Sequence, residues 1–132
     1  MKNKKKILGV CVTGGVATGI NDSLITLWEH ANIWGYEKVL FFLDGFKHLT
    51  KGPTNKYLLM NEELAFRYKS TGGSILGNSK PGIPEEHEYK NIYQSIIAHE
   101  ITDWVQFGGN DSYEETLKVF SHGDQVRWAH VP

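Results

Sequence analysis

The sequence has one cysteine, Cys11, in 132 residues. An internal disulfide and a cysteine metal cage are therefore excluded, and stability has to come from a buried core. No apolar run approaches the ~20 residues that a membrane span requires. The basic cluster Lys2, Lys4, Lys5 and Lys6 leads into six strand-like residues rather than the apolar core of a signal peptide. Both absences point to a cytoplasmic protein that does not enter a membrane, and the Asn-Asp-Ser triplets at Asn21 and Asn110 then carry no glycosylation meaning. Charge of one sign is missing too. Fourteen Lys and Arg face fifteen Asp and Glu, a formal charge of -1, so no field over the whole surface favours nucleic acid. Internal repeats and linkers are also lacking.

What is present fits one globular domain. The length lies within the roughly 100 to 200 residues of a typical domain, and 40% hydrophobic with 22% charged residues is an ordinary globular composition. Ile7 to Val12 is a nearly continuous apolar run followed by glycines, as a parallel strand buried on both faces requires. Asn21 is placed to cap the next helix, in which Leu24, Leu27, Trp28 and Ala31 share one face and which Gly35 stops. Val39 to Leu43 reads as a second buried strand, ended by the turn signal Asp44-Gly45. Residues 46–60 read mostly as loop.

Asn61 opens a helix supported by the Glu63–Arg67 pair, and Pro84 suits the first position of another, whose inward stripe is Tyr89, Ile92, Tyr93, Ile96 and Ile97. Trp104 to Phe107 is a strand ending in Gly108-Gly109. Ser112 with Glu115 forms a capping box for a helix with Tyr113, Leu117 and Phe120 turned inward, and Val126 to Val131 is the last strand. This alternation predicts an α/β fold, a doubly wound and mainly parallel sheet with helices on both faces. The sequence stops at Pro132 directly after an apolar strand, so residues 1–132 are expected to be a single α/β domain, truncated at its carboxyl end.

Three glycine pairs, at Gly14-Gly15, Gly72-Gly73 and Gly108-Gly109, recur at element boundaries. Each alone is a turn. Turns after the carboxyl ends of parallel strands converge on one crevice, however, where backbone N–H groups can cradle a phosphate. A Rossmann site is disfavoured, because Gly14, Gly15 and Gly19 read G-G-x-x-x-G and not G-x-G-x-x-G, although Asp44 stands where a ribose-binding acid would. No Walker lysine is present. His99-Glu100 begins like a zinc-protease helix but continues to Asp103 instead of a second His, and the remaining histidines have no ligand spacing. Cys11, Trp28, Trp104 and Trp128 read as core.

At the glycine turns the sequence resembles the 6-phosphofructokinase family. Residues 13–22, TGGVATGIND, are similar to its pattern G-G-x-x-P-G-x-N, residues 44–49, DGFKHL, to the loop after its second strand, residues 72–80, GGSILGNSK, to G-G-[ST]-x-L-G-[ST]-[SA]-R, and residues 108–112, GGNDS, to G-G-D-[GD]-[ST]. The resemblance implies the amino-terminal, phosphoryl-donor-binding part of an enzyme that uses ATP or pyrophosphate, with Mg²⁺, to phosphorylate fructose 6-phosphate at its 1-hydroxyl in glycolysis. It places Gly14, Lys80, Pro81, Gly109, Asn110, Asp111 and Ser112 in the donor site, and it implies a homo-oligomer.

The same resemblance exposes departures. Aspartate at position 111 is the family's pyrophosphate type, whereas glycine there goes with ATP. Thr18 stands for proline, Lys80 for arginine, and Asn110 for the aspartate that holds magnesium. Lysine lacks the bidentate fork of arginine, and asparagine lacks the charge that a hard cation prefers. The family's catalytic aspartate belongs to a segment that would follow Pro132, so no catalytic residue is assigned and the chain alone is expected to be inactive. The alternative implied by the three substitutions is a non-catalytic module that binds a phosphorylated ligand or a partner chain.

Overall fold

A computed structural model of the chain describes residues 5–13, 19–69, 75–77 and 84–132. In chain order it forms strand β1 (Ile7–Val12), helix α1 (Ile20–Ile33), strand β2 (Lys38–Phe42), a 3-10 turn at Lys47–Leu49, the short strand β3 (Tyr57–Leu58), helices α2 (Glu62–Tyr68) and α3 (Glu86–Ala98), strand β4 (Asp103–Phe107), helix α4 (Asn110–Phe120) and strand β5 (Arg127–Val131). The sheet order is β3-β2-β1-β4-β5. All neighbours are parallel except β2 and β3. The stretch 46–60 is mostly loop, as its sequence suggests. The exception, β3, is two residues long and too short to show any alternation.

Because successive side chains in a strand point to opposite faces, the apolar runs supply two cores. Ile7 and Cys11, with Leu40, Phe42 and Trp104, meet Tyr89, Ile92 and Ile96 of α3 and Val119 and Phe120 of α4. Leu8 and Val10, with Val39, Phe41 and Phe107, meet Leu24, Ile25 and Ala31 of α1. Helices therefore lie on both faces of the sheet. Burial pushes the Cys11 thiol up to about 12, so it is a packed, protonated side chain. Trp104 is the cross-strand partner of Gly9, and a Cβ on Gly9 would run into its ring. The indole stacks on Phe42 at 5.5 Å and Phe46 at 6.1 Å. Trp28 and Trp128, read as core from the sequence, are only partly buried at the margins of the two clusters.

Several local expectations hold. Asn61 Oδ1 accepts from the Leu64 N–H at 2.8 Å, and Glu63 pairs with Arg67 at 3.2 Å. Gly35 leaves α1 with φ 87°. Others are corrected. Asn21 does not cap α1, which starts one residue earlier behind Gly19; it is buried and its Oδ1 accepts from the Ile75 N–H at 3.0 Å. Pro84 precedes α3, whose N-cap is Glu85; the Glu85 N–H donates to the Glu88 carboxylate at 2.9 Å. His99 follows the end of α3 and Asp103 lies in β4, so residues 99–103 share no helix.

No helix among the described residues is long and apolar enough to cross a membrane. On the face covered by α1, no described helix lies over β4 and β5. Val105 is half-buried there, and Ala129 and Val131 are exposed. An uncovered apolar face beside the edge strand β5 recruits partners, so the 132-residue chain is expected to self-associate in sedimentation at tens of micromolar, roughly the range in which exposed apolar surface drives association. A stable monomer would contradict this.

His99 gives a second prediction. Its Nε2 accepts the Thr54 N–H at 3.1 Å while its ring packs on Phe42 and Tyr57, and burial lowers its pKa below the ordinary value. The unfolded chain then binds the proton more readily than the folded one. The stability contributed by neutral His99 is thus present above its unfolded pKa, about 6.5, and is lost as the pH falls through that value. Urea unfolding at about pH 7.5 and pH 5.5 should show a decline that is smaller in His99→Gln.

Candidate functional site

Strand order reverses at β1, with β2 on one side and β4 on the other. In a doubly wound sheet the crevice at the carboxyl ends of such a pair is the usual ligand site. The backbone closes tightly there. The Thr13 N–H donates to the Phe107 carbonyl at 2.9 Å, and the Gly108 N–H donates to the Val131 carbonyl at 3.0 Å. A side chain on Gly108 would collide with the Thr13 carbonyl oxygen and with Ser112. Glycine at this position brings the start of α4 against the end of β1.

The next residue behaves differently. Gly109 is the N-cap of α4, with φ -82°, and no side chain caps the helix. An added Cβ at Gly109 would meet nothing within 4 Å. Neither strain nor packing within the described residues requires glycine here. Gly109, Asn110 and Asp111 are exposed at the mouth, whereas Ser112 is buried. The first-turn N–H groups of α4 face outward with the positive end of the helix dipole behind them.

Two expectations for this helix are corrected. The capping box is not formed, because α4 begins at Asn110 and Ser112 lies inside the first turn, its hydroxyl bonded to that of Thr13. Glu115 is half-buried instead, its carboxyl pushed upward by burial and then by the neighbouring charge of Asp111. Tyr113 and Leu117 are also not inward: the buried face is Ser112, Thr116, Val119 and Phe120. The buried hydroxyls are satisfied, with Thr116 donating to the Ser112 carbonyl at 2.7 Å, which lets small polar residues face the sheet while Tyr113 packs on the His130 ring at 5.3 Å.

A second turn borders the same edge. Asp44 and Gly45 both take positive φ, 59° and 64°. The Asp44 N–H donates to the Leu76 carbonyl at 2.8 Å, and its carboxylate pairs with His48 at 3.0 Å. Together with the Asn21 bond to Ile75, these contacts fix residues 75–77. Parts of all four glycine-bearing stretches, 13–22, 44–49, 72–80 and 108–112, are therefore joined at one end of the sheet. Gly14, Lys80 and Pro81 lie outside the described residues, as do the Gly14-Gly15 and Gly72-Gly73 pairs. Among the described residues no three His, Cys, Asp or Glu side chains gather as a metal site.

Sequence reasoning did not identify the buried polar line behind this edge. The Trp104 indole N–H donates to Gln106 Oε1 at 2.9 Å, and Gln106 Nε2 donates to Thr13 Oγ1 at 2.8 Å. The available signal was a glutamine set between the apolar residues Val105 and Phe107.

The family profile described as Phosphofructokinase matches residues 7–132. The chain belongs to the phosphofructokinase family. Pyrophosphate–fructose 6-phosphate 1-phosphotransferase of Thermotoga maritima is 35% identical over 128 residues, 95% of this chain and 30% of that protein. The enzyme of the same name from Naegleria fowleri is 30% identical over 113 residues, 85% of this chain and 26% of that protein. The chain thus spans less than a third of the length of these curated relatives. Among solved structures, pyrophosphate-dependent phosphofructokinase from Marinobacter aquaeolei superposes with a TM-score of 0.78 at 21% identity, covering 96% of this chain and 33% of that one. Phosphofructokinase from Pichia pastoris gives 0.76 at 20% identity, covering 92% and 14%. At these identities the structures establish the phosphofructokinase fold.

Within that fold, the two adjacent glycines should separate by stability. Gly108→Ala overpacks the junction and is expected to cost about 1 to 3 kcal/mol. Gly109→Ser, which supplies a favourable N-cap without a clash, should leave stability unchanged within about 0.5 kcal/mol or raise it. Thermal and urea unfolding of both variants checks the contrast.

Proposed function

We propose that this chain is the phosphoryl-donor-binding portion of a phosphofructokinase and that pyrophosphate is its preferred donor. The observation that carries the reading is Gly109, a glycine that neither backbone strain nor packing within the described residues demands, set at the switch point before N–H groups that no side chain among those residues caps. A phosphate oxygen approaching these donors needs the space that a side chain would fill. Asp111, the pyrophosphate-type residue of the resemblance, is exposed at the mouth, and a carboxylate there crowds and repels the inner phosphate of a nucleotide. Both curated relatives described above are named as pyrophosphate enzymes.

In the whole protein the acceptor would be fructose 6-phosphate, phosphorylated at its 1-hydroxyl in cytoplasmic glycolysis by a homo-oligomer. Positioning and electrostatics dominate such transfers. This chain would contribute donor positioning through Gly14, Lys80, Pro81, Gly109, Asn110, Asp111 and Ser112. The fit to Mg²⁺ is poor, because Asn110 offers a neutral amide where the family's metal-holding carboxylate stands and no carboxylate cluster lies among the described residues. No step is assigned to the metal. Asn110 also favours a second reading, a module of the same fold that binds a phosphorylated ligand or partner without catalysis.

Calorimetry with pyrophosphate and ATP tests the proposal. Pyrophosphate should bind weakly but better than ATP, with little gain from added Mg²⁺, and Gly109→Ser should weaken binding because its hydroxyl occupies the N–H groups. Asn110→Asp should make binding magnesium-dependent, gaining about 1 to 3 kcal/mol as a charge-assisted contact. Tight magnesium-dependent binding by the unmodified chain, or no response to Asn110→Asp, would remove Asn110 from the metal position. Turnover of fructose 6-phosphate is expected to stay at background with either donor. Loss of a general base alone costs about 10² to 10⁴ in rate.

A further inference from the structure

Helices α1 and α2 flank a groove of about 480 Å³. Its α2 wall is Glu62, Ala65, Phe66 and Lys69, spaced i, i+3, i+4 and i+7. One face of this short helix therefore carries an acid at its start, a small and a large apolar residue at its centre, and a base at its end. The α1 wall contributes Trp28 and Ile33. Phe66 is 87% exposed and Ile33 79%, and Glu62 and Lys69 are exposed as well. Among the described residues, Glu63 pairs with Arg67 within the helix, whereas Glu62 and Lys69 have no ion-pair partner. Because α1 links the carboxyl end of β1 to the amino end of β2, Ile33 lies at the amino ends of the strands, away from the switch point.

We propose that this groove is an interface with a second copy of the chain, in which α2 packs antiparallel against its counterpart about a two-fold axis. The lining is self-complementary in both size and charge. An axis midway between Ala65 and Phe66 sets each Phe66 against the partner's Ala65, the small residue that leaves room for a ring, and each Glu62 against the partner's Lys69. One axis thus gives two ion pairs at the rim and two buried aromatic rings at the centre, the usual anatomy of a protein interface. A basic segment of another protein would satisfy Glu62 and leave Lys69 facing a like charge, and an acidic segment would do the reverse. A second copy satisfies both. The pairing does not depend on the donor-binding reading, and it uses a surface separate from the uncovered face of β4 and β5.

Sedimentation of the 132-residue chain at low salt, in a concentration series reaching tens of micromolar, roughly the range in which exposed apolar surface drives association, tests the pairing. The parent is compared with Phe66→Ser, Glu62→Lys, Lys69→Glu and an equimolar mixture of the two charge variants, with thermal midpoints measured in parallel. The parent should dimerise. Phe66→Ser should weaken the dimer at least about thirtyfold, as loss of a central aromatic does. Glu62→Lys places two lysine pairs across the axis and Lys69→Glu two glutamate pairs, so each alone should weaken it about tenfold. In the mixture every pair across the axis is again opposite in sign, and a heterodimer should form with close to the parent's affinity. Fraying of α2 by either substitution would not give that recovery. A monomeric parent overturns the pairing and leaves the groove to another occupant. Association that Phe66→Ser does not weaken belongs to the uncovered face of β4 and β5 and overturns it too, as does loss in the charge variants without recovery on mixing. If Phe66→Ser does not fold, Ile33→Ser on the facing wall replaces it with the same expectation.

Discussion

The carboxyl edge of the sheet depends on the Trp104 indole lying over the bare backbone of Gly9. Trp104 is buried in the larger core, and its ring occupies the space that a Cβ at position 9 would need. That contact fixes the relation of the two central parallel strands at mid-length, while the Thr13 bond to the Phe107 carbonyl fixes it at the edge. Replacing a buried tryptophan by alanine typically costs about 3 to 5 kcal/mol, a large share of a small domain's stability. Here the same ring also donates the hydrogen bond that orients Gln106. Core packing and the orientation of the buried Gln106 amide are thus properties of one side chain.

The sequence was legible where burial is complete or a cap is local. Ile7 to Val12 and Val39 to Leu43 announce central strands because both faces are covered and polarity disappears from the run. The stripe on α3 and the Asn61 cap need only neighbours three or four residues away. The resemblance assigned three of the four motif stretches, 13–22, 72–80 and 108–112, to one site, and three hydrogen-bonded pairs join these and 44–49 at one edge: Thr13 with Ser112, Asn21 with Ile75, and Asp44 with Leu76.

Where tertiary partners supply the missing hydrogen bond, local reasoning fails. Asn21 has the chemistry of a cap, but its amide is used 54 residues away. Ser112 and Glu115 have capping-box spacing, yet Thr13 lies 99 residues distant and claims the serine. That competition also sets the rotation of α4: once Ser112 and Thr116 can be buried with satisfied hydroxyls, the face carrying Tyr113 and Leu117 no longer has to turn inward. A burial rule that counts only apolar residues misses this, because a paired hydroxyl costs little to bury while an unpaired one costs about 1 to 3 kcal/mol.

The geometry and the charge of the crevice have separate origins. Gly108, Thr13 and Ser112 hold the start of α4 against β1, and none of their contacts involves the side chain of Asn110 or Asp111, which are exposed. Charge at these two positions can therefore change without moving the helix, and the N–H groups of its first turn continue to attract an anion whichever residues stand there. A carboxylate at 111 has an added consequence, since its charge raises the pKa of half-buried Glu115 one turn further along. Under the proposed donor-binding reading, the site can thus lose a metal-holding charge at 110 and keep a backbone that faces an anion. Retention of the phosphofructokinase fold alone consequently says little about how strongly the donor is held.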